Sequence, residues 1–203
     1  MDVQALKAIG VRLDADFHAS GCDLDGFAAL AERVLHDVEP WSAFEPAALV
    51  AWAAEHGDAA TNAWSFSDLP LTVYEAEHWY LQLLTWTESS TSIHGHGFVG
   101  AFRVMWGGSL HATFEVLDRQ SIDEHLSHGR ARRVDTEELR TGAVRVIEGG
   151  PEGPLHSLFH LEEPSVTLVA RSRPHARFQP QLDFHPPSLL LAAGGLQDDV
   201  QVR

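Results

Sequence analysis

The chain has few of the features that mark a secreted, membrane-spanning or nucleic-acid-binding protein. Its 203 residues include one cysteine, Cys22, which excludes an internal disulfide and a thiolate metal cluster. The formal net charge of −15 argues against nucleic acid and anionic membranes as partners, because both need a basic surface. No apolar run approaches the roughly 20 residues that span a bilayer. The N-terminus lacks a basic stretch followed by an apolar one, so we expect no signal peptide and a cytoplasmic location.

Residues 1–58 have the apolar periodicity of helices. The stripe of the most regular helix consists of Phe27, Leu30, Ala31, Val34, Leu35 and Val38. Asp23 or Asp25 can cap its start, and Pro40 is expected to end it. A weaker helix precedes it, and another is predicted over 46–57. We expect this N-terminal segment to pack on the remainder of the chain.

From about residue 60, short apolar or alternating runs are separated by Gly, Pro, Asp and Ser, a pattern typical of a sandwich or barrel. The candidate strands are 71–76, 79–86, 98–106, 109–117, 143–148, 155–161, 165–172 and 181–191. Gly107-Gly108 predicts a hairpin turn between two of them. Ser121 and Glu124 predict a capping box that opens a short helix.

The sharpest local feature is His94-Gly95-His96. Side chains two apart on a strand point to the same face, so two imidazoles would be aimed at one point. Neutral imidazole is a ligand for Fe, Zn, Ni or Cu. An H-x-H by itself is also a frequent coincidence in a chain with 13 His. A second feature adds weight, because a Gly/Pro turn leads into a strand that begins with His156.

Together the two features resemble the motifs of the cupin superfamily. His94 and His96 match the H-x-H of the first motif, and Pro151, Gly153 and His156 match the P-x-G-x-x-H of the second. The resemblance implies a mainly β fold, the cupin double-stranded β-helix or jelly-roll barrel, with N-terminal α-helices. It also implies that the three His hold one divalent metal.

We expect the barrel in residues 59–193 and a loose C-terminal tail in 194–203, while the resemblance itself covers roughly residues 71–172. One departure from the first motif concerns the metal. Its Glu, expected four or five residues after the H-x-H, is replaced by Gly100 or Ala101, and its opening Gly is Glu88. The missing Glu implies a three-His site, which leaves positions on the metal for substrate and for oxygen or water.

Within the superfamily, the pattern resembles the cysteine dioxygenase branch of thiol dioxygenases. The stretches that carry the likeness are 83–86, 92–96, Phe102, Gly108, Thr113, 155–156 and 163–168. The likeness implies a mononuclear Fe(II) site that adds O2 to a substrate, with Zn, Ni and Mn as alternative metals. The Ser-x-His-x-Tyr run of that branch is Thr167-x-Val169-x-Arg171 here, and Ala101 stands in place of its cross-linked Cys. Cysteine is therefore not the expected substrate.

Three further side chains are candidates for catalysis: Arg171, His160 and Glu88. Strand alternation places Arg171 on the face that the resemblance assigns to the pocket. There it could bind a carboxylate or phosphate in bidentate fashion, or pair with Glu88 or Glu162 at the barrel rim. His160 stands where the second motif has Asn, and it is either a structural His or an alternative third ligand. A regular strand would place it about 13 Å from the position of the motif His.

The sequence therefore favours a non-haem iron dioxygenase that acts on a small anionic substrate. One alternative is a Zn, Ni or Mn cupin with isomerase, hydrolase or lyase activity, for which Glu88, His111 or His160 could be the general acid or base. Another is a non-enzymatic cupin that binds a ligand or a metal. The expected partners are a small-molecule substrate and O2, with no nucleic acid and no membrane, and the resemblance suggests a homodimer.

Overall fold

The structure is a computed structural model of the chain. It describes residues 3–38, 47, 51, 69–87 and 90–192. The helix predicted over 46–57 lies outside the described residues except at positions 47 and 51, which are helical. The described residues also exclude the boundary predicted near residue 58, the tail 194–203 and Glu88. These remain predictions.

Two helices begin the described part of the chain, α1 (Val3–Ala19) and α2 (Leu24–His36). Asp23 is the N-cap of α2, and its side chain accepts a hydrogen bond from the backbone N–H of Asp25 at 2.9 Å. The predicted apolar stripe of α2 is buried. Neither helix has the length and hydropathy needed to cross a bilayer.

Eleven strands are found in the described residues, in two sheets. They are β1 (Leu69–Glu75), β2 (Trp79–Trp86), β3 (Ile93–His94), β4 (Gly100–Trp106), β5 (Gly108–Ser121), β6 (Leu126–Arg140), β7 (Val144–Ile147), β8 (Leu155–His160), β9 (Ser165–Ser172), β10 (Leu182–His185) and β11 (Leu189–Ala192). One sheet has the order β1-β2-β9-β4-β7, and the other closes as β10-β11-β6-β5-β8-β3. From β3 to β10 the chain passes repeatedly between the two sheets, which is the arrangement of a jelly-roll barrel. The predicted fold class, a mainly β barrel with N-terminal helices, is confirmed.

Alternation along β9 separates two layers of the molecule. Val166, Leu168 and Ala170 belong to the large apolar cluster that α1 and α2 form with the five-stranded sheet. Thr167, Val169 and Arg171 point to the opposite side, where they line a cavity between the sheets. The helices therefore cover the outer face of this sheet and leave its inner face to the cavity.

Arg103 on β4 fastens α2 to the sheet. It is 6% exposed, and its Nη1 donates hydrogen bonds to the backbone oxygens of Leu35, at 2.8 Å, and His36, at 3.3 Å. These carbonyls lie at the C-terminal end of the helix, where the macrodipole favours a cation. One buried guanidinium thus satisfies helix-end acceptors that would otherwise be desolvated.

Two local predictions were wrong. Gly107 has φ +79, but it joins β4 of one sheet to β5 of the other and is not a hairpin turn. No short helix follows Ser121, because β5 and β6 are joined there by a tight turn. The Asp123 carboxylate accepts from the backbone N–H of His125 at 2.8 Å and of Leu126 at 2.7 Å, which satisfies the turn without helical bonds.

Strand β6 was missed from the sequence. It pairs with β5 over most of its length, yet its burial pattern is mainly exposed and it is rich in Arg, Asp and Glu. A strand with water on its outer face and charges along it lacks the apolar alternation from which strands are recognised. Its omission concealed one residue of the site, described below.

We predict that Arg103→Met lowers the free energy of unfolding by about 2–3 kcal/mol, because buried carbonyl oxygens lose a charged donor. Urea unfolding measures the change. Arg130→Met removes an exposed ion pair with Asp118 and serves as the control, with an expected loss of less than about 1 kcal/mol. Equal losses in the two variants would contradict the proposed attachment of α2.

Candidate metal centre

His94 and His156 are brought together by strand pairing. They are direct Cα partners in the antiparallel pair β3–β8, and their Nε2 atoms are 3.2 Å apart. His94 Nδ1 lies 2.9 Å from the backbone oxygen of Ser92. Since that oxygen only accepts, Nδ1 carries the proton and Nε2 presents its lone pair to the centre.

His96 reaches the same point from a loop that follows β3. Its backbone forms an isolated parallel bridge with Gly149, and its oxygen accepts from the N–H of Gly150 at 2.9 Å. A Cβ at position 149 would lie 2.3 Å from the backbone oxygen of Phe98, so this approach requires Gly. The Nε2 of His96 is then 2.8 Å from the Nε2 of His156.

The resulting cluster fits a divalent metal. One ring nitrogen from each of His94, His96 and His156 lies within 4.8 Å of the others. Imidazole nitrogens that share one ion, each at about 2.1 Å, are separated by about 3 Å when they occupy neighbouring positions. The two Nε2 separations match this spacing, and the three nitrogens are of the type that Fe, Zn, Ni and Cu accept.

Burial keeps the three rings neutral. It lowers the pKa of His96 and of His156 well below the usual value, and that of His94 to a smaller degree. The neighbouring imidazoles lower the pKa of His96 and His156 further, and the Arg171 guanidinium adds to the effect on His96. At neutral pH the cluster therefore presents lone pairs, which is the form that ligates metals.

Neither Gly100 nor Ala101, where the resemblance would place a Glu ligand, can direct a carboxylate at the cluster. A Cβ at Gly100 would lie 2.1 Å from the backbone oxygen of Ala170 and 2.9 Å from the Cα of Arg171. Ala101 belongs to the apolar cluster under the helices, on the other side of the sheet. The three-His set that the sequence suggested thus has a steric basis.

The three His lie in the wall of a cavity between the two sheets. Its lining consists of Pro70, Gln82, Leu84, Trp86, Thr91, His94, His96, Phe98, Phe102, Ile147, His156, Leu158, Thr167, Val169 and Arg171. A largely apolar cavity with a few convergent polar groups is typical of a small-molecule site.

Arg171 presents a charge to this cavity from β9, in the sheet that faces β3 and β8. Its Nε donates to Gln82 Oε1 at 3.1 Å, and its guanidinium carbon lies 4.7 Å from the Tyr80 ring centre and 4.8 Å from that of Phe98. Burial lowers its pKa. Within the described residues, no carboxylate is within ion-pair distance of this guanidinium, and Glu162 contacts Arg140 instead.

His160 is not part of the cluster. It is buried behind the cavity wall, where its Nδ1 lies 2.9 Å from Ser109 Oγ and its ring stacks on Trp86 at 5.1 Å. Of the two candidates for the third His, the structure brings His156 to the other two. Glu88 lies outside the described residues, so its predicted role is neither supported nor opposed.

Two residues behind the cluster, Glu137 and Arg145, were missed from the sequence, and His111 connects them to His156. His111 Nε2 lies 2.9 Å from His156 Nδ1, and His111 Nδ1 lies 3.1 Å from Glu137 Oε1. Arg145 Nε donates to the same carboxylate oxygen at 2.7 Å, and its hydrogen bonds lower the pKa of Glu137 to about 2. Glu137 lies in the unpredicted strand β6, and Arg145 lies on a predicted strand but reaches Glu137 from the other sheet, so no local pattern in the sequence links the two.

Comparison with known proteins gives matches among solved structures alone. No family model and no curated protein matches the chain. The hydroquinone 1,2-dioxygenase PnpCD in complex with Cd2+ and 4-hydroxybenzonitrile is 16% identical with a TM-score of 0.40, over 54% of this chain and 66% of that chain, just under two thirds of its length.

Two further matched structures differ in coverage. The DMSP lyase DddQ from Ruegeria pomeroyi DSS-3 is 12% identical with a TM-score of 0.44, over 92% of this chain and 99% of that chain. A cupin-2 domain containing protein from Shewanella frigidimarina is 18% identical with a TM-score of 0.34, over 55% and 85%. Likenesses at TM-scores this low do not assign a function to this chain.

We predict that His156→Ala weakens binding of a divalent metal by more than about 100-fold, since even residues behind a ligand change affinity by up to that factor. His160→Ala is the matched control from the same strand and should bind as the unmodified protein does. Calorimetric titration of chelator-treated protein with Zn2+ measures both. Retained binding in the His156 variant, or loss in the His160 variant only, would reverse the assignment of the third ligand.

The lowered pKa values also predict acid sensitivity of the metal-free protein. In the unfolded chain these His bind protons as the pH falls below about 6.5, whereas the buried rings stay neutral to lower pH. The unfolded state thus binds more protons in this window, and stability falls as the pH is lowered from about 7 to 5. His96→Gln should flatten this fall in the melting temperature, and parallel curves for the variant and the unmodified protein would contradict the prediction.

Proposed function

We propose that this chain is a metal-dependent enzyme of the cupin type, a mononuclear non-haem iron dioxygenase that adds O2 to a small anionic substrate other than cysteine. One observation carries the proposal. Three neutral imidazoles on one side of the cavity face a single point. The opposite sheet presents Arg171, a guanidinium with no carboxylate partner in the described residues. Bound Fe(II) would supply the redox chemistry that activates O2.

The protein's part in this reaction begins with the three His. Their lone pairs would hold the metal without any carboxylate ligand from Gly100 or Ala101, so the remaining positions stay available for small molecules. Burial keeps the imidazoles neutral, which favours a divalent cation over protons at the same nitrogens. These features support a metal centre that binds its reactants directly.

Arg171 would bind the anionic group of the substrate. Its Nε is occupied by Gln82, and the rings of Tyr80 and Phe98 flank its plane, so the orientation of the guanidinium is fixed before a substrate arrives. The terminal Nη atoms form no hydrogen bond or ion pair with the described residues. A planar fork of donors in a partly desolvated wall suits a carboxylate, which can accept two parallel hydrogen bonds.

The remaining cavity lining supports oxygen chemistry more than acid–base chemistry. Within the described lining, the only titratable side chains are the three His of the cluster and Arg171. Of the three residues proposed as general acid or base for a Zn, Ni or Mn isomerase, hydrolase or lyase, His160 and His111 are not part of the lining, and Glu88 lies outside the described residues. Leu84, Phe102 and Leu158 instead form apolar walls that exclude water from the reactants.

Several finer assignments belong to the same proposal. The thiol dioxygenase branch is favoured by the placement of Thr167, Val169 and Arg171 on the cavity face, as the resemblance requires. A small-molecule substrate and O2 as partners, the absence of nucleic-acid and membrane partners, a homodimer and a cytoplasmic location stay predictions. The largely apolar lining of the cavity supports a small-molecule substrate.

The test is metal analysis followed by oxygen consumption. Protein purified without a metal-affinity column should contain iron, and Fe(II)-loaded protein should consume O2 when supplied with a member of a panel of small thiols, sulfonates and carboxylates. His94→Ala should lose this uptake. Substrate-dependent uptake that survives in His94→Ala would remove the iron centre as its source. A metal-loaded protein that consumes no O2 with any substrate of the panel would favour the alternatives instead.

We predict that Arg171→Met weakens substrate binding roughly 10- to 100-fold, because a charge-assisted hydrogen-bonded pair is lost, and leaves the metal content unchanged. KM for the active substrate and metal content by elemental analysis measure the two effects. Arg173→Met is the control, since Arg173 contacts Glu75 on the surface. Loss of metal in the Arg171 variant would make this residue structural and would contradict the assigned role.

A further inference from the structure

A chain of four polar side chains runs outward from the metal centre through four strands. His156 on β8 contacts His111 on β5 at 2.9 Å, and His111 contacts Glu137 on β6 at 3.1 Å. Glu137 is held by Arg145 on β7, with both carboxylate oxygens bound. No part of the proposed reaction uses the last three residues, and they do not line the cavity.

Strand register creates this chain. His111 and Glu137 are direct Cα partners in the β5–β6 pair, so their side chains meet on one face. His156 pairs with Thr113, and His111 lies two residues before Thr113 on the same face of β5, which is the diagonal position to His156. Arg145 comes from the other sheet and reaches Glu137 across the sheet edge.

The Glu137 carboxylate determines which atom donates in each hydrogen bond of this chain of side chains. Arg145 holds the pKa of Glu137 at about 2, so the carboxylate is ionised and can only accept. His111 therefore donates from Nδ1, and in its singly protonated form its Nε2 accepts from the Nδ1–H of His156. That arrangement leaves the lone pair of His156 Nε2 directed at His94 and His96, 3.2 and 2.8 Å away.

We propose that His111, supported by Glu137 and Arg145, is a positioning residue for His156 and sets the metal affinity of the centre. The inference rests on the proposed metal centre and adds the residues that orient one of its ligands. His94 is oriented by the Ser92 carbonyl, whereas Nδ1 of His96 is buried without a hydrogen-bond partner in the described part of the chain. The orientation of the cluster therefore depends on the rings of His94 and His156, and His111 holds the ring of His156.

A purely structural role of His111 can be distinguished from the positioning role. Any well-packed residue could fill the buried site of His111, which is 7% exposed and lies edge-on to Phe102. Only an acceptor at the position of its Nε2 can fix the proton on His156 Nδ1. Metal ligation by His commonly depends on such a partner at the other ring nitrogen.

The experiment is titration of chelator-treated protein with Co2+, followed by the visible spectrum of the bound ion. Glu137→Gln and His111→Phe should weaken binding roughly 10- to 100-fold and shift the spectrum. His111→Gln keeps an acceptor and should lie between His111→Phe and the unmodified protein. Glu138→Gln is the matched control, since the carboxylate of Glu138, next to Glu137 in the chain, contacts Arg140 at the surface and not His111.

The outcomes separate the inference from the proposed function. The positioning role is overturned if the unmodified protein binds Co2+ and both variants, Glu137→Gln and His111→Phe, bind it with the same affinity and the same spectrum. The metal centre would stand in that case. If the unmodified protein binds no divalent metal, the proposed centre fails and the inference fails with it. Thermal melting identifies any variant that does not fold, and the conservative Glu137→Gln then decides.

Discussion

The structure of the site depends on the desolvation of three imidazoles around one point. Nitrogens at 2.8 and 3.2 Å inside a barrel cannot all carry protons, because burial and mutual repulsion both disfavour the charged form. The cross-strand pairing of His94 with His156 and the close approach at Gly149 impose this crowding. A divalent cation removes the conflict, since it replaces the missing protons with one charge that all three lone pairs share.

The two-sheet architecture then gives the cavity two unlike walls. Strand β3 with the loop that follows it and strand β8 supply the three imidazoles, and β9 supplies a guanidinium that lies close to the rings of Tyr80 and Phe98. The helices lie on the far side of β9, where Arg103 attaches α2, so the inner face of the sheet is left for the site. Apolar side chains line the space between the His cluster and Arg171.

The local patterns of this site can be recognised in the sequence, whereas the parts that depend on packing between distant segments cannot. The H-x-H pair, the turn before His156 and the alternation that turns Arg171 inward are short-range patterns that the sequence shows directly, although His96 approaches the cluster from a loop after β3 and not from the strand of His94. The steric reason for the missing Glu, a backbone oxygen of Ala170 against Gly100, depends on the pairing of β4 with β9. Glu137 and Arg145 escaped notice because β6 is a charged, largely exposed strand and Arg145 reaches it from the opposite sheet.

The most direct measurement of the central claim is X-ray absorption at the K-edge of Fe(II) bound to the protein. Three imidazole ligands at one iron should give the multiple-scattering pattern of three histidine rings, together with lighter scatterers from solvent or substrate. A spectrum that requires carboxylate ligands from the protein, or fewer than three imidazoles, would contradict the account of the centre built on His94, His96 and His156.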